Sequence, residues 1–350
     1  MSDNCTSNKQ ATKLEPLNIG GVGFRNAAIL APMSGVTDVP FRRLAWEFGA
    51  GMVVSEMVAS EALTTGHEEM RLKAESAGLP VHVVQLAGRQ AKWMAEATRM
   101  AENAGADIID INMGCPSKRV TNGYSGSALM RDLDNAVSLI DAVVATTKLP
   151  VTLKMRLGWD ENSINAPELA RRAENAGVQM ITVHGRTRNQ FYKGEADWSK
   201  VALVRETTSL PMVVNGDISN TEEARKALAV SGADAVMVGR ATYGAPWLVG
   251  KIGTSLCDLA PVSRPAGMAF AEMVAKHYDD MLTFYAVDLG IRNARKHLDW
   301  YCQHLPANVD FAVERRSMMT EKDPTEVLKL IAGLFCAVEP ETPARLKVAA

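Results

Sequence analysis

Eight short runs of Val, Ile, Leu and Met recur through the first 240 residues, and their order limits the fold more than any other feature. They are "ILAPM" (29–33), "MVVSEM" (52–57), "VHVVQL" (81–86), "IIDINM" (108–113), "VTLKMRL" (151–157), "MITVHG" (180–185), "MVVNGD" (212–217) and "AVMVGR" (235–240). Each is nearly continuous in apolar residues, as parallel strands covered on both faces must be. Between them lie segments with helical spacing, such as "AKWMAEATRMAEN" and "TEEARKALAV". The approaches alternate. Strands two, four, six and eight follow "FGAG", "NAGAD", "NAGVQ" and "VSGAD", where a glycine can end the preceding helix in the left-handed conformation. Strands three, five and seven follow "GLPV", "KLPV" and "SLPM", where proline stops the helix and sets extended geometry. Eight strands, each entered from a helix with this two-step rhythm, predict an α/β protein built on an eight-stranded (β/α)8 TIM barrel. A doubly wound open sheet is the structural rival, but it seldom needs eight such units in order.

"LNIGGVGFRN" (17–26) precedes the first strand and reads as a hairpin on the barrel floor. Its glycines do not join a strand to a helix, so a dinucleotide loop is disfavoured. From about residue 252 only helical periodicity remains, in "PAGMAFAEMVAKHYDDMLTFYAV", "IRNARKHLDWYCQHL" and "PTEVLKLIAGLF". The expected organisation is a polar, disordered N-terminus over 1–13, a barrel over 14–251 and a small all-helical C-terminal domain over 252–350.

The formal net charge of −2 gives no bulk attraction for nucleic acid or an anionic membrane, so such a partner would need a local patch. The five cysteines form no C-x-x-C pair and no zinc spacing, which predicts free thiols, a reducing compartment and no metal. The N-terminus has no apolar signal region, and no apolar run approaches the roughly 18 residues of a spanning helix. These features predict a cytoplasmic protein with no membrane partner.

In such barrels chemistry sits at the carboxyl ends of the strands. Those positions hold Pro32 and Met33, Glu56, Gln85, Asn112 with Cys115, Lys154 with Arg156, His184 with Arg186, Asn215-Gly216-Asp217, and Gly239-Arg240. Each has a bland reading. A lone cysteine is usually an inert buried hydrophobe. Lys154 can be neutralised within the barrel, with Glu56 the candidate partner. His184 alone reads as a hydrogen-bonded core histidine. Together at one rim they favour a site. Cys115 lies between Gly114 and Pro116, in a shaped loop, and Lys118 and Arg119 are expected to lower its pKa. Gly216 and Gly239 with Arg240 occupy the loops that cradle phosphate in this fold, which predicts a phosphorylated ligand, either flavin mononucleotide or a sugar phosphate. Lys154, His184 and the amides suit a flavin ring, and Cys115 can then act as general acid toward a substrate carbon.

The blocks "LAPMSGVTDVPFRRL", "INMGCPSKRV", "LKMRLGWD", "TVHGRTRNQFYKGEADW", "VVNGDI" and "VMVGRATYGAPWL" resemble the tRNA-dihydrouridine synthases, most closely the bacterial synthase B (nitrogen-regulation-like) branch. The resemblance runs over most of residues 15 to 305. It implies an FMN barrel followed by a helical tRNA-binding domain, with NADPH as reductant and a tRNA uridine as substrate, the synthase B likeness suggesting the D-loop. It implies that Cys115 donates the proton to C5 as hydride reaches C6. Pro32, Met33 and Ser34 match the first flavin-contacting loop, and Gln85, Lys154 and His184 match residues around the ring. Asn215, Gly216, Asp217, Gly239 and Arg240 match the ribityl and phosphate contacts. Asn112 and Arg186 look like walls around the target uracil, with Lys118 and Arg119 also on the substrate side. In the helical segment Arg292, Arg295 and Lys296 lie close to one face and can grip phosphates; the alternative is a solvated basic face. A monomer is expected, since tRNA needs an open face.

Three rivals share parts of this pattern. A small-molecule flavin oxidoreductase resembling dihydroorotate dehydrogenase would not need the helical domain. A barrel aldolase would use Lys154 as a Schiff-base amine without flavin. A non-catalytic tRNA-binding factor would tolerate loss of Cys115.

Overall fold

The computed structural model describes residues 13–341. The expected disordered segment therefore falls, but for Lys13, outside the described residues. Eight parallel strands form the wall: β1 (Ala28–Leu30), β2 (Met52–Val53), β3 (Val83–Ala87), β4 (Ile108–Met113), β5 (Val151–Arg156), β6 (Met180–His184), β7 (Met212–Asn215) and β8 (Ala235–Val238). They are hydrogen-bonded in the order β2, β1, β8, β7, β6, β5, β4, β3. A parallel bridge between Val54 and Val83 joins β2 back to β3 and closes the wall. Between strands the chain crosses over through α1 (Val39–Glu47), α2 (Ala91–Asn103), α3 (Leu133–Val144), α4 (Ala166–Asn175), α5 (Trp198–Arg205) and α6 (Thr221–Ser231). After β8 comes α7 (Leu248–Leu256). The glycines expected to end helices, Gly49, Gly105, Gly177 and Gly232, all have positive φ.

Several apolar runs outlast the ladder. In β1, β7 and β8 the last expected residues leave the wall and turn into loops over its mouth. β2 stops at Val53 because the Ser55 hydroxyl takes over: its Oγ accepts from the Gln85 backbone N–H at 2.9 Å and donates to the Glu56 carbonyl at 2.8 Å. Val58–Ala59 then rejoins β3.

Side chains alternate across each strand, so one parity points into the barrel. Ile29, Met52, Val54, Val83, Ile108, Met180, Val213 and Met237 form one buried cluster at its lower end. Ile19 and Phe24, from the hairpin pairing Asn18–Ile19 with Val22–Gly23, plug it from below. The other parity, including Leu30, Val84, Ile109, Leu153, Ile181, Val214 and Val236, packs under the helices. Gln85, Asp110, Asn112, Lys154, His184 and Asn215 share the inward parity, higher up the barrel.

α7 runs through residue 252 and gives Val249, Ile252 and Leu256 to the barrel core. A second core follows, built by α8 (Gly267–Tyr285), α9 (Val287–Tyr301), α10 (Ala312–Thr320) and α11 (Pro324–Phe335). Phe41 of α1 meets His277 and His297 with ring centroids 5.8 and 5.5 Å away, which seats this bundle on the barrel. No helix among the described residues is long and apolar enough to cross a membrane.

Candidate active site

Where the inward row reaches the carboxyl ends of the strands, a cavity of about 1040 Å³ opens. Pro32, Met33 and Ser34 line it from the β1 loop, and Gln85, Asn112 and Cys115 from β3 and β4. Lys154 and His184 line it from β5 and β6; Asn215, Gly216, Asp217, Gly239 and Arg240 complete the far side. Arg119 reaches its edge, whereas Lys118 is solvent-exposed outside it.

Below the cavity runs a chain of hydrogen bonds that the buried polar groups require of one another. Asp110 accepts from Thr152 Oγ1 at 2.6 Å and from Gln85 Nε2 at 2.7 Å. Asn112 Nδ2 donates to Gln85 Oε1 at 2.7 Å. Asn112 Oδ1 then accepts from the backbone N–H groups of Gly114 at 3.2 Å and Cys115 at 3.0 Å. This fixes both amide orientations and ties the cysteine loop to the barrel. Arg156, 1% exposed, braces the same loop by donating Nε to Gly114 O and Nη1 to Thr187 O, both at 2.8 Å.

Burial pushes the Cys115 thiol above its ordinary range, outweighing the Ser117 backbone N–H and the charges of Arg156 and Lys154. The lowered thiol expected from Lys118 and Arg119 is therefore corrected. Both of those side chains are exposed and screened by water, while desolvation acts on the sulfur directly. The group is a protonated thiol at neutral pH, which suits an acid better than a nucleophile.

Lys154 does not pair with Glu56. Its Nζ donates to Asn215 Oδ1 at 3.1 Å, whereas Glu56 accepts from the Gly35 backbone N–H at 2.6 Å and lies 4.0 Å from Lys73. Burial, then the neighbouring Arg156, pulls Lys154 down to about 8, with Asp110 opposing. The ammonium thus persists at pH 7 at a cost to folding. The folded pKa lies below the ordinary 10.5, so stability should rise as pH climbs from about 8 towards 10.5. Lys154→Met should abolish that rise and stabilise the apoprotein at pH 7 by about 1–3 kcal/mol, measured by urea unfolding.

Burial and the charges of Arg156, Lys154 and Arg186 hold His184 well below the usual histidine range, so it is neutral. Arg186 Nη1 lies 3.3 Å from His184 Nε2. Guanidinium only donates, so Nε2 accepts and Nδ1 carries the proton.

Arg186 itself is 1% exposed and lies behind the cavity rather than in its wall. Its Nη1 and Nη2 donate to the Asp217 carboxylate at 2.9 and 2.5 Å, and Nε and Nη2 also donate to the carbonyls of Lys193 and Gly194. Asp217, at φ +52°, accepts in addition from Ala196 N at 2.7 Å. Arg240 Nη2 stands 3.6 Å from Asp217, with its guanidinium 4.5 Å from the Tyr192 ring centroid. Gly216 has φ +116°, and a Cβ there would fall 2.7 Å from Ala196 Cβ and 3.0 Å from the His184 ring. Gly216→Ala is therefore expected to cost about 1–3 kcal/mol in stability, read by thermal unfolding.

The basic cluster on α9 is divided by the fold. Arg292 is exposed, while Arg295 Nη2 donates to the carbonyls of Thr320 and Glu321 at 3.5 and 3.3 Å. Lys296 turns towards the barrel, where its Nζ would lie 3.6 Å from a Cβ on Gly35 and feels Asp38 and Glu56. Asp110 and Tyr192 are site residues that the sequence reading did not single out, and Arg156, named there only as a strand-end residue, proves to brace the cysteine loop. Tyr192 sits in "NQFYKGEADW", directly after the histidine motif, and that adjacency was the available signal.

The donor set fits a flavin phosphate. Lys154 retains two N–H donors and Gln85 one amide hydrogen beyond their protein partners, suiting the ring carbonyls. Gly216 and Gly239 beside Arg240 allow backbone to approach a phosphate. Among the described residues no group of three His, Cys, Asp or Glu side chains is placed to hold a metal.

Against known proteins, the family profile described as "Dihydrouridine synthase (Dus)" matches residues 29–335. A probable tRNA-dihydrouridine synthase of Rhizobium leguminosarum bv. phaseoli is 54% identical over 306 residues, covering 87% of this chain and 94% of that relative. The tRNA-dihydrouridine synthase B of Xanthomonas axonopodis pv. citri is 41% identical over 337 residues, covering 95% of this chain and 100% of the relative. Among solved structures, a 2-naphthoyl-CoA reductase complex has a TM-score of 0.55 at 14% identity, over 85% of this chain and 59% of that one. That likeness concerns the fold alone.

Proposed function

Because the chain belongs to the dihydrouridine synthase family, we propose that it reduces the C5–C6 bond of a uridine in tRNA to 5,6-dihydrouridine. When bound, FMN supplies hydride to C6 and is recharged by NADPH. The observation that carries this reading is geometric: the half-buried Cys115, its loop held by Asn112, stands at a cavity shared with Lys154 and His184.

Cys115 delivers a proton to C5, so that the hydride and this proton together saturate the bond. Its loop is held by Asn112 and Arg156, which keeps the sulfur in place while the base enters. Lys154 and the neutral His184 hold the flavin ring with Gln85, the ammonium offsetting negative charge that gathers at the pyrimidine edge. Pro32, Met33 and Ser34, which line the cavity from the β1 loop, would contact the flavin. Asn215, Gly216, Gly239 and Arg240 take the ribityl and phosphate, and Asp217 orients Arg240. Asn112 walls the uracil, and Arg186 acts on the site through Asp217. Lys118, Arg119 and Arg292 contact tRNA phosphates, with Arg295 and Lys296 fixing the bundle beside them. A target base in a loop such as the D-loop can leave its stack more cheaply than one in a stem. In this reading the protein works as a cytoplasmic monomer, its open face left to the tRNA.

The test is to incubate the protein with unmodified tRNA, FMN and NADPH and map dihydrouridine by mass spectrometry. Product at a defined loop uridine is expected. Flavin reduction without product on any of several tRNAs would point instead to a small-molecule reductase.

A further inference from the structure

Beside the main cavity, among the described residues, lies a second one of about 300 Å³ lined by Thr121, Asn122, Tyr124, Arg131, Trp159 and Arg188. A single loop separates the two. Val120, Gly123 and Ser125 face the main cavity, while Thr121, Asn122 and Tyr124 face the smaller one. This is the glycine-containing loop that follows Cys115, and nothing in the chemistry above makes use of its outer side.

Two guanidinium groups converge there on one indole. The Arg131 and Arg188 Cζ atoms lie 4.2 and 4.5 Å from the Trp159 ring centroid. Arg188 also stands 4.7 Å from the Phe191 ring centroid and Arg131 5.9 Å from that of Tyr124, contacts that hold both groups at the cavity without neutralising their charge. Among the described residues no carboxylate pairs with either one. Arg188 donates to Asn189 Oδ1 and Thr121 Oγ1, both at 3.2 Å, and its buried Nε has no partner. Tyr124 stands at the rim, 63% exposed, with φ +57°, a conformation a non-glycine residue adopts only under constraint. An exposed ring beside two uncompensated guanidiniums matches a base with its phosphate: the ring offers a stacking face and the arginines a bidentate anion site.

We propose that this cavity is a second nucleotide subsite, holding the RNA nucleotide next to the target uridine. Its base stacks on Tyr124 and its phosphate bridges Arg131 and Arg188. The inference rests on the main cavity receiving the uridine. With one loop between the two cavities, a strand that drops its target base beside Cys115 lays the neighbour over Tyr124. Extrusion is then shared between two bases, and the neighbour helps decide which uridine is modified.

The test measures binding of unmodified tRNA over a salt series for the native protein, Arg131→Gln, Arg188→Gln, Tyr124→Ala and Tyr124→Phe. Flavin content and flavin reduction by NADPH without tRNA report on folding and the main site. Each arginine variant is expected to bind roughly tenfold more weakly and to lower the salt slope by about 0.7–0.9. Tyr124→Ala should lose roughly tenfold with the slope unchanged, and Tyr124→Phe should bind as the native protein does. Native affinity and slope in all four variants, with dihydrouridine still formed by the native protein, would overturn the subsite alone. A native protein that neither binds nor modifies tRNA would sink the functional reading and the subsite with it.

Discussion

Replacing Cys115 with Ala is expected to lower dihydrouridine formation by about 10²–10⁴-fold while leaving flavin reduction by NADPH within a factor of about two. The thiol supplies one proton and no electrons, so only the half-reaction that saturates the base should suffer. Single-turnover mixing of reduced protein with tRNA, followed at the flavin absorbance, separates the halves. Cys115→Ser should remain impaired, because a hydroxyl is a far weaker acid than a thiol. The pH profile carries the sign. A proton donor works while protonated, and burial moves this thiol above its ordinary 9.0, so no loss from Cys115 is expected between pH 6 and 8. The first loss on raising pH should follow Lys154, at about 8, and should disappear in Lys154→Met. A loss of activity on lowering the pH that vanishes in Cys115→Ser would mean that the thiolate, not the thiol, is the working form.

Arg186→Met should cost about 1–3 kcal/mol in stability, because it removes the hydrogen bonds of a buried guanidinium while the carboxylate it leaves on Asp217 is in reach of water. Arg186 is almost wholly buried, and Asp217 would keep a carboxylate whose remaining partners are the Ala196 N–H and the more distant Arg240. Asp217 holds the β7 loop at positive φ, so FMN affinity is expected to fall with stability, and urea unfolding and flavin titration read both. A direct uracil contact predicts something different: a raised KM for tRNA with stability and flavin binding intact. That second pattern would return Arg186 to the cavity wall.

The barrel was legible because it is written in local chemistry. Eight apolar runs, four glycine entries and three proline entries act within a few residues, and the wall they predict is the wall observed. Strand ends were harder. Whether Ser55 replaces a ladder bond, or β7 leaves the wall before Gly216, depends on partners that only the closed barrel brings near. The helical bundle was legible as helices, but the splitting of Arg292, Arg295 and Lys296 followed from where α9 packs.

The sequence by itself determined the end of the barrel at which the site lies. Gln85, Asn112, Lys154, His184 and Asn215 stand at the carboxyl ends of their strands, and in a barrel of parallel strands those ends meet at one mouth. The tertiary structure decided their charges and partners. It raised the pKa of the half-buried Cys115 thiol against the expectation from its basic neighbours, gave Lys154 to Asn215 instead of Glu56, and set Arg186 behind the cavity on Asp217. Position along a strand is a local property, whereas desolvation and pairing depend on what the remaining strands place within a few ångströms.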